Sequence, residues 1–126
     1  MLDTSAYVGF KRNAVEVVEI IVKAELIIFS PVVMGELMFG FRNGTRFKEN
    51  MDDLDRFLKH EAVDLLPIGK ITSDRYSRIA VKLRQQGTPI PTNDIWIAAQ
   101  AMEQGAELIT SDQCFDKING LVYTIF

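Results

Sequence analysis

The sequence has little of the chemistry that builds disulfides and zinc sites. Its 126 residues include one cysteine, Cys114, and one histidine, His60. A lone cysteine excludes an internal disulfide and fits a reducing compartment. One thiol and one imidazole do not make a set of zinc ligands. The cytoplasm is therefore the expected location.

Long apolar runs and an excess of positive charge are also missing. The longest apolar run, residues 32–41, is interrupted by Glu36 and is too short to span a bilayer. No segment resembles a signal peptide, and no GxxxxGK[ST] or GxGxxG phosphate-binding pattern occurs. The net charge of −3 disfavours a general nucleic-acid binder, which is usually basic. It leaves open a metal-dependent enzyme, because bound cations reverse the field of clustered acids.

Short apolar segments alternate with helical patterns along the chain, which by its length is expected to form one domain over residues 1–126. Strands are predicted at residues 1–2, 26–29, 62–68 and 121–125, with another just before Asp112. The intervening segments have helical periodicity, and Ser30-Pro31 is a strong helix start. This alternation predicts an α/β sandwich with a mostly parallel sheet.

Three acids stand at the ends of predicted elements. Asp3 and Asp112 each follow a strand, and Asp94 begins a helix. Ligands of open α/β sheets bind beyond the carboxyl ends of the strands, so Asp3 and Asp112 are expected at the same edge. Taken singly, each acid has a structural alternative: a turn residue at Asp3 or Asp112, or a first-turn acid favoured by the helix dipole at Asp94.

Glu36 lies in the middle of a helix whose sequence, VVMGELMFGF, is otherwise apolar or glycine. With such neighbours it is not expected to face bulk water easily, and an isolated buried carboxylate either protonates or binds a cation. The structural alternative is a glutamate bonded to a backbone group or to Arg42. Together the four acids favour a site for a hard divalent cation such as Mg²⁺, which prefers oxygen ligands. Their mutual repulsion is expected to raise the pKa of at least one of them.

Four segments in order carry a resemblance to a known family: DTSAY at the start, SPVVMGELMFG, TNDIWIAAQAMEQGAELITSD, and FDKINGL. Over the whole chain the sequence resembles the PIN-domain endoribonucleases, and most closely the VapC-type toxins of toxin–antitoxin pairs. The resemblance implies a three-layer α/β/α sandwich and hydrolysis of RNA phosphodiester bonds with Mg²⁺ or Mn²⁺. It implies catalytic and metal-binding roles for Asp3, Glu36, Asp94 and Asp112, a further metal-holding acid at Asp116, and supporting roles for Thr4, Ser5, Asn93 and Thr110.

The sequence departs from the family pattern in two places. The amino-terminal strand is shorter than usual, so weaker anchoring of the first residues is expected. Cys114 stands where other members often carry a larger polar or basic residue, which leaves a substrate-contact role there in doubt.

The resemblance also implies partners: an RNA substrate, a cognate antitoxin and a second copy of the chain in a homodimer, with no membrane. Helices rich in Val, Ile, Met and Phe at residues 13–24 and 30–43 carry more apolar surface than one small core hides. The candidates for holding the RNA backbone at the rim of the site are Lys11, Arg12, Arg42 and Arg46.

Two other functions are compatible with acids at strand ends. A non-catalytic interaction module on the same fold is the main alternative, and the intact set of four acids weighs against it. An aspartate phosphotransferase of the receiver or haloacid-dehalogenase type also places Asp after strands. Asp3-Thr4-Ser5 is not the Asp-x-Asp of that phosphatase, however, and neither fold accounts for Glu36.

Overall fold

The computed structural model describes residues 1–126 and consists of helices that surround short parallel strands. The helices are α1 (Thr4–Lys11), α2 (Val15–Lys23), α3 (Pro31–Arg42), α4 (Phe47–Leu58), α5 (Lys70–Gln86) and α6 (Thr92–Glu103). The strands are β1 (Ile27–Phe29), β2 (Val63–Leu65), β3 (Leu108–Thr110) and β4 (Tyr123–Ile125), and a 3-10 helix covers Gln113–Lys117. None of the helices has the length and apolar character needed to cross a membrane.

The amino-terminal segment lies at the centre of the sheet. β1 pairs with β2 and β3 pairs with β4, both in parallel. Leu2 joins the two pairs, since its N–H donates to the Ile28 carbonyl at 3.2 Å and it forms a parallel bridge with Ile109. Leu2 is only 2% exposed. The expectation that the first residues are weakly anchored is therefore wrong, because neighbours on both sides hold this short segment.

The predicted α/β class with a parallel sheet is confirmed, and the strand directions bring the two predicted strand-end acids to one edge. The segment ending at Asp3 runs parallel to β3, whose last residue is Thr110. Asp3 and Asp112 consequently follow neighbouring strands at the same end of the sheet. The sheet thus sets the spacing between these two carboxylates.

A capping side chain explains the start of α3, whereas α5 starts without one. Ser30 caps α3 by accepting from the Val32 N–H at 3.1 Å, and proline occupies the first turn as predicted. Hydroxyl residues are favoured caps, and Thr72 or Ser73 would be expected to cap α5, but the helix begins earlier, at Lys70, and its amino-terminal cap is Gly69. Thr72 instead lies inside the first turn, where its hydroxyl accepts from the Gly69 N–H at 3.2 Å. Gly87 ends the helix with φ of 69°, a left-handed conformation that glycine adopts without strain.

The core that supports the site is apolar and closely packed. Its largest fully buried apolar side chains include Phe29, Phe115, Leu54 and Ile97, which come from a strand, the 3-10 helix and two α-helices. Burying a side chain of this size contributes about 1.5–3 kcal/mol to folding. The elements that carry the acids are therefore fixed to one another by a shared core.

Candidate metal centre

All four predicted acids line one open cavity of about 880 Å³. Asp3 caps the amino terminus of α1, Glu36 lies in the middle of α3, Asp94 lies in the first turn of α6, and Asp112 caps the 3-10 helix after β3. The structure thus brings together side chains that are up to 109 positions apart in the sequence. Their metal-binding and catalytic roles remain predictions.

Asp3 is buried, and three donors hold its carboxylate. Its Oδ1 accepts from the Ser5 hydroxyl at 2.6 Å and from the Ala6 N–H at 2.9 Å, and its Oδ2 accepts from the Thr110 hydroxyl. Burial raises the pKa of Asp3, while the bonds from Ser5, Thr110 and Ala6 act in the opposite direction. The nearby Asp112 adds a smaller increase. The three donors orient the carboxylate and favour its charged form.

Two of the hydroxyl groups predicted to support the site, those of Ser5 and Thr110, are part of one network. The Thr110 hydroxyl, besides donating to Asp3, accepts from the Asp112 N–H at 3.0 Å. The Ser5 hydroxyl accepts from the Ser111 N–H at 2.9 Å. Thr110 and Ser5 therefore connect the end of the amino-terminal segment to the turn after β3, and fix the two acids of this edge relative to each other.

Glu36 faces the cavity and is not enclosed by its apolar neighbours. It is half-buried, and its Oε1 accepts from the Thr4 hydroxyl at 2.8 Å. Gly35 beside it is exposed, and Phe39, one turn further on, is 70% exposed. The expectation that Glu36 cannot easily face water is thus wrong, because this side of α3 is open. The alternative partner Arg42 lies over the Phe47 ring instead, with its guanidinium carbon 4.3 Å from the ring centroid.

Asp94 is the acid whose ionisation the fold disfavours most visibly. Burial, and then the charges of Asp112, Glu36 and Asp3, raise the pKa of Asp94 to about 6, against a hydrogen bond from Cys114 that lowers it. A raised pKa for at least one acid was expected from the crowding of four carboxylates, and both Asp3 and Asp94 have one. For Asp94 the largest cause is burial, and repulsion by the other three acids adds to it.

Cys114 joins the site, which the sequence analysis did not anticipate. Its thiol donates to Asp94 Oδ2 with a sulfur–oxygen distance of 3.5 Å, and burial raises the pKa of that thiol. The sulfur and one carboxylate oxygen each of Asp94 and Asp112 all lie within 4.8 Å of one another. The sequence cue for this contact is that Cys114 follows Asp112 by two residues. In the structure the Cys114 N–H donates to the Asp112 carboxylate at 2.9 Å.

Asp116 and Asn93, also predicted to belong to the site, differ in where the structure places them. Asp116 does not line the cavity: it is exposed on the 3-10 helix, with its carboxylate 3.9 Å from the Lys117 ammonium. Asn93 lines the cavity. The side-chain hydrogen bond that Asp94 accepts comes from Cys114 and not from Asn93. Neither Thr92 nor Asn93 caps α6, whose amino-terminal cap is Pro91.

None of the four basic residues predicted at the rim lines the acidic cavity. The Lys11 ammonium lies 3.3 Å from the Asp53 carboxylate, and Arg46 pairs with Glu49. Arg42 stacks on Phe47 and Arg12 is exposed on the far side of α1 from its capped end. The structure therefore does not place these cations where the rim was expected.

The side chains of the cavity fit a hard divalent cation. Four carboxylates line the cavity, the oxygen ligands that Mg²⁺ and Mn²⁺ prefer, and hydroxyl groups already orient two of these carboxylates. A cation would also offset the repulsion that acts on Asp94. The acidic group is therefore one that could bind a divalent metal.

Comparison with known proteins identifies the family to which this chain belongs. A family model described as PIN domain matches residues 1–121. Ribonuclease VapC2 of Rickettsia felis is 28% identical over 105 residues, which are 82% of this chain and 77% of the relative. Ribonuclease VapC1 of Haemophilus influenzae (strain R2866) is 27% identical over 114 residues, 87% and 84% of the two chains. The crystal structure of VapBC2 from Rickettsia felis bound to a DNA fragment from their promoter superposes with a TM-score of 0.86 at 26% identity, and covers 99% of this chain and 96% of the other. The resemblance noted in the sequence is thereby confirmed, and the chain belongs to the PIN domain family.

Proposed function

We propose that this protein is a divalent-metal-dependent endoribonuclease and the toxin of a toxin–antitoxin pair. The observation that carries the proposal is the convergence of four carboxylates from four separate elements on one open cavity. Relatives named Ribonuclease VapC over most of the chain support the reaction type. The cation is proposed to be Mg²⁺ or Mn²⁺, and the residues that would hold it are Asp3, Glu36, Asp94 and Asp112.

Each part of the cavity has a task in this function. Lewis-acid stabilisation of charge on a phosphate and activation of a water nucleophile are the chemistry that a divalent cation supplies in such a site. Asp3 is held in one orientation by Ser5, Ala6 and Thr110, so it is preorganised to bind. Asp94, whose pKa is raised to about 6, is the acid whose ionised form gains most from a nearby positive charge. The open shape of the cavity suits a polymer substrate.

The proposed partners are an antitoxin and a second copy of the chain. Supporting this, Val15 and Val22 of α2 are 65% and 76% exposed, and Phe39 of α3 is 70% exposed. Large apolar side chains left open on two helices favour a protein partner. We also propose that the whole of residues 1–126 acts as one nuclease domain and that it acts in the cytoplasm, where a lone cysteine stays reduced.

RNA cleavage by the purified protein, freed of any antitoxin, tests the function. Structured RNAs are incubated with Mg²⁺, Mn²⁺ or EDTA, and the products are separated on denaturing gels. Cleavage is expected with either metal, absent with EDTA, and abolished in Asp3→Asn and Asp94→Asn. Asp55→Asn is a matched control, since Asp55 is an exposed acid of α4 outside the cavity. Cleavage that persists in EDTA or in both cavity variants would sink the metal-nuclease proposal.

The same variants separate the nuclease from a non-catalytic interaction module. An interaction module predicts that partner binding is the only property of the wild-type protein and that no RNA is cut under any metal condition. The nuclease predicts that Asp94→Asn keeps its fold, measured by circular dichroism, and its self-association, measured by sedimentation, while cleavage is lost.

A further inference from the structure

A second, smaller cavity on α5 collects positive charge. It has a volume of about 160 Å³, and four of its lining residues are the cations Arg75, Arg78, Lys82 and Lys117. The chain has 14 Lys and Arg residues in all and a net charge of −3, so four cations around one concavity stand out. We propose that this surface, the basic groove, binds the phosphate backbone of single-stranded RNA next to the acidic cavity. The proposal rests on the proposed nuclease function and adds a substrate contact to it.

Two of the cations have no acidic partner. Neither Arg75 nor Lys82 makes an ion pair, in contrast to Lys11 and Arg46 among the residues predicted from the sequence. The Nε of Arg75 is buried and has no hydrogen-bond acceptor. A phosphate group offers oxygen acceptors to a guanidinium group and two-point geometry. The groove therefore contains positive charge that a phosphate could bind without first displacing an acid.

The other two cations are paired only weakly. Arg78 bonds to Asp74 at 2.9 Å, but both side chains are well exposed, at 78% and 64%. The Lys117–Asp116 distance is 3.9 Å, the outer limit of an ion pair. Exposed pairs contribute little to stability, so exchanging either carboxylate for an RNA phosphate is not costly.

Apolar side chains also line the groove, and one of them is partly exposed. Ile79 and Leu83 of α5, Met102 of α6 and Ile118 line it beneath the cations. Proteins that bind single strands combine cations along the backbone with apolar or aromatic surface against bases. Ile79, Leu83 and Ile118 are buried, so Met102 is the apolar side chain of the groove that a base could contact.

Helix α6 connects the basic groove to the acidic cavity. Asp94 in its first turn lines the cavity, and Met102 in its last turn lines the groove. Eight residues of α-helix correspond to about 12 Å, at about 1.5 Å per residue. A strand whose scissile phosphate lies at the acids thus reaches the groove within a few nucleotides. Cations at this distance attract the backbone without neutralising the acids that would hold the metal.

The salt dependence of RNA binding tests the basic groove. Binding of a fluorescein-labelled single-stranded RNA is measured by anisotropy in EDTA, where the proposed nuclease does not cut, across a series of salt concentrations. For Lys82→Gln/Lys117→Gln, the slope of log K against log salt is expected to become shallower by about 1.4, because each phosphate contact on a single strand contributes about 0.7. Both lysines are exposed, so the variant is expected to fold.

The matched control is Lys23→Gln/Lys59→Gln, which also removes two positive charges. These lysines are exposed, lie on α2 and after α4, and line neither cavity. Their slope is expected to equal that of the wild type. Equal slopes for all three proteins, equal changes in both variants, or no RNA binding at the lowest salt would each overturn the proposal. Loss of binding to an acidic peptide with RNA binding unchanged would assign the groove to a protein partner, and would also overturn it.

Failure of the basic groove and failure of the nuclease function give different results. If the protein binds RNA through the groove but cuts none with Mg²⁺ or Mn²⁺, the groove proposal stands and the nuclease proposal fails. If Lys82→Gln/Lys117→Gln cuts RNA with unchanged KM and kcat, the nuclease proposal stands and the groove proposal fails. If both hold, the double variant raises KM for long RNAs and leaves kcat nearly unchanged.

Discussion

Replacing Asp94 by asparagine is expected to stabilise the metal-free fold while it abolishes cleavage. The fold raises the pKa of Asp94 to about 6, from a value of 3.8 for a free carboxyl group. The ionised carboxylate is therefore less favourable in the folded protein than in the unfolded chain. Asparagine has nearly the same shape and carries no charge, so it removes this unfavourable contribution.

The sign and size of the effect follow from the two pKa values. Below pH 3.8 the carboxyl group is protonated in both states and contributes nothing. Between pH 3.8 and about 6 the folded protein keeps a proton that the unfolded chain has lost, so stability falls as pH rises, and above pH 6 the loss is complete. A difference of about 2 in pKa corresponds to about 3 kcal/mol. Because Asp94 is only half-buried, solvent screening reduces this to about 1–2 kcal/mol.

Thermal unfolding in EDTA at pH 4 and pH 7.5 measures this effect. Asp94→Asn is expected to melt about 4–8 °C above the wild type at pH 7.5, given about 2.1 cal/mol/K of unfolding entropy per residue. The two proteins should converge at pH 4. Asp55→Asn, on the exposed side of α4, should match the wild type at both pH values. An asparagine variant that melts below the wild type at pH 7.5, or by the same margin at both pH values, would refute the reasoning.

Three further changes probe the scaffold of the site. Thr110→Val removes the hydroxyl that donates to Asp3 and accepts from Asp112, so a loss of about 2 kcal/mol in denaturant unfolding and a slower cleavage rate are expected. Leu54→Ala empties a fully buried position and should cost about 2–5 kcal/mol, with the cleavage rate of the remaining folded protein unchanged. Gly87→Ala forces a side chain into a left-handed conformation and should lower stability by about 1 kcal/mol, again without affecting cleavage.

The sequence was sufficient to predict the parts of the site that depend on the order and direction of the strands. Strand ends are visible as apolar segments followed by Asp3 or Asp112, and parallel pairing brings such ends to one edge. Glu36 was identifiable because a charge in an apolar helix is unusual. These inferences need only the order of elements and their periodicity.

The positions of long surface side chains could not be obtained in this way. Lys11 and Arg46 were assigned to the rim of the site from their place in the sequence, but each pairs with an acid on α4. The basic groove takes Arg75, Arg78 and Lys82 from one face of α5, a spacing visible in the sequence, but only the fold brings Lys117 and α6 beside them. Cys114 contacts Asp94 from the 3-10 helix after β3, a contact between distant segments that composition and spacing do not specify.

Asp3 and Asp94 have different hydrogen-bond surroundings, and this difference bears on how metal binding and stability are connected. Asp3 has three hydrogen-bond donors, whereas Asp94 has one thiol at 3.5 Å. The burial of Asp3 is thus partly offset by the protein itself, while the burial of Asp94 leaves more for a cation to offset. A ligand that binds only the folded state stabilises it according to its concentration and affinity. Divalent ions should therefore raise the melting temperature of the wild type more than that of Asp94→Asn. The acid that weakens the metal-free fold is, on this argument, the one through which metal binding contributes most to stability.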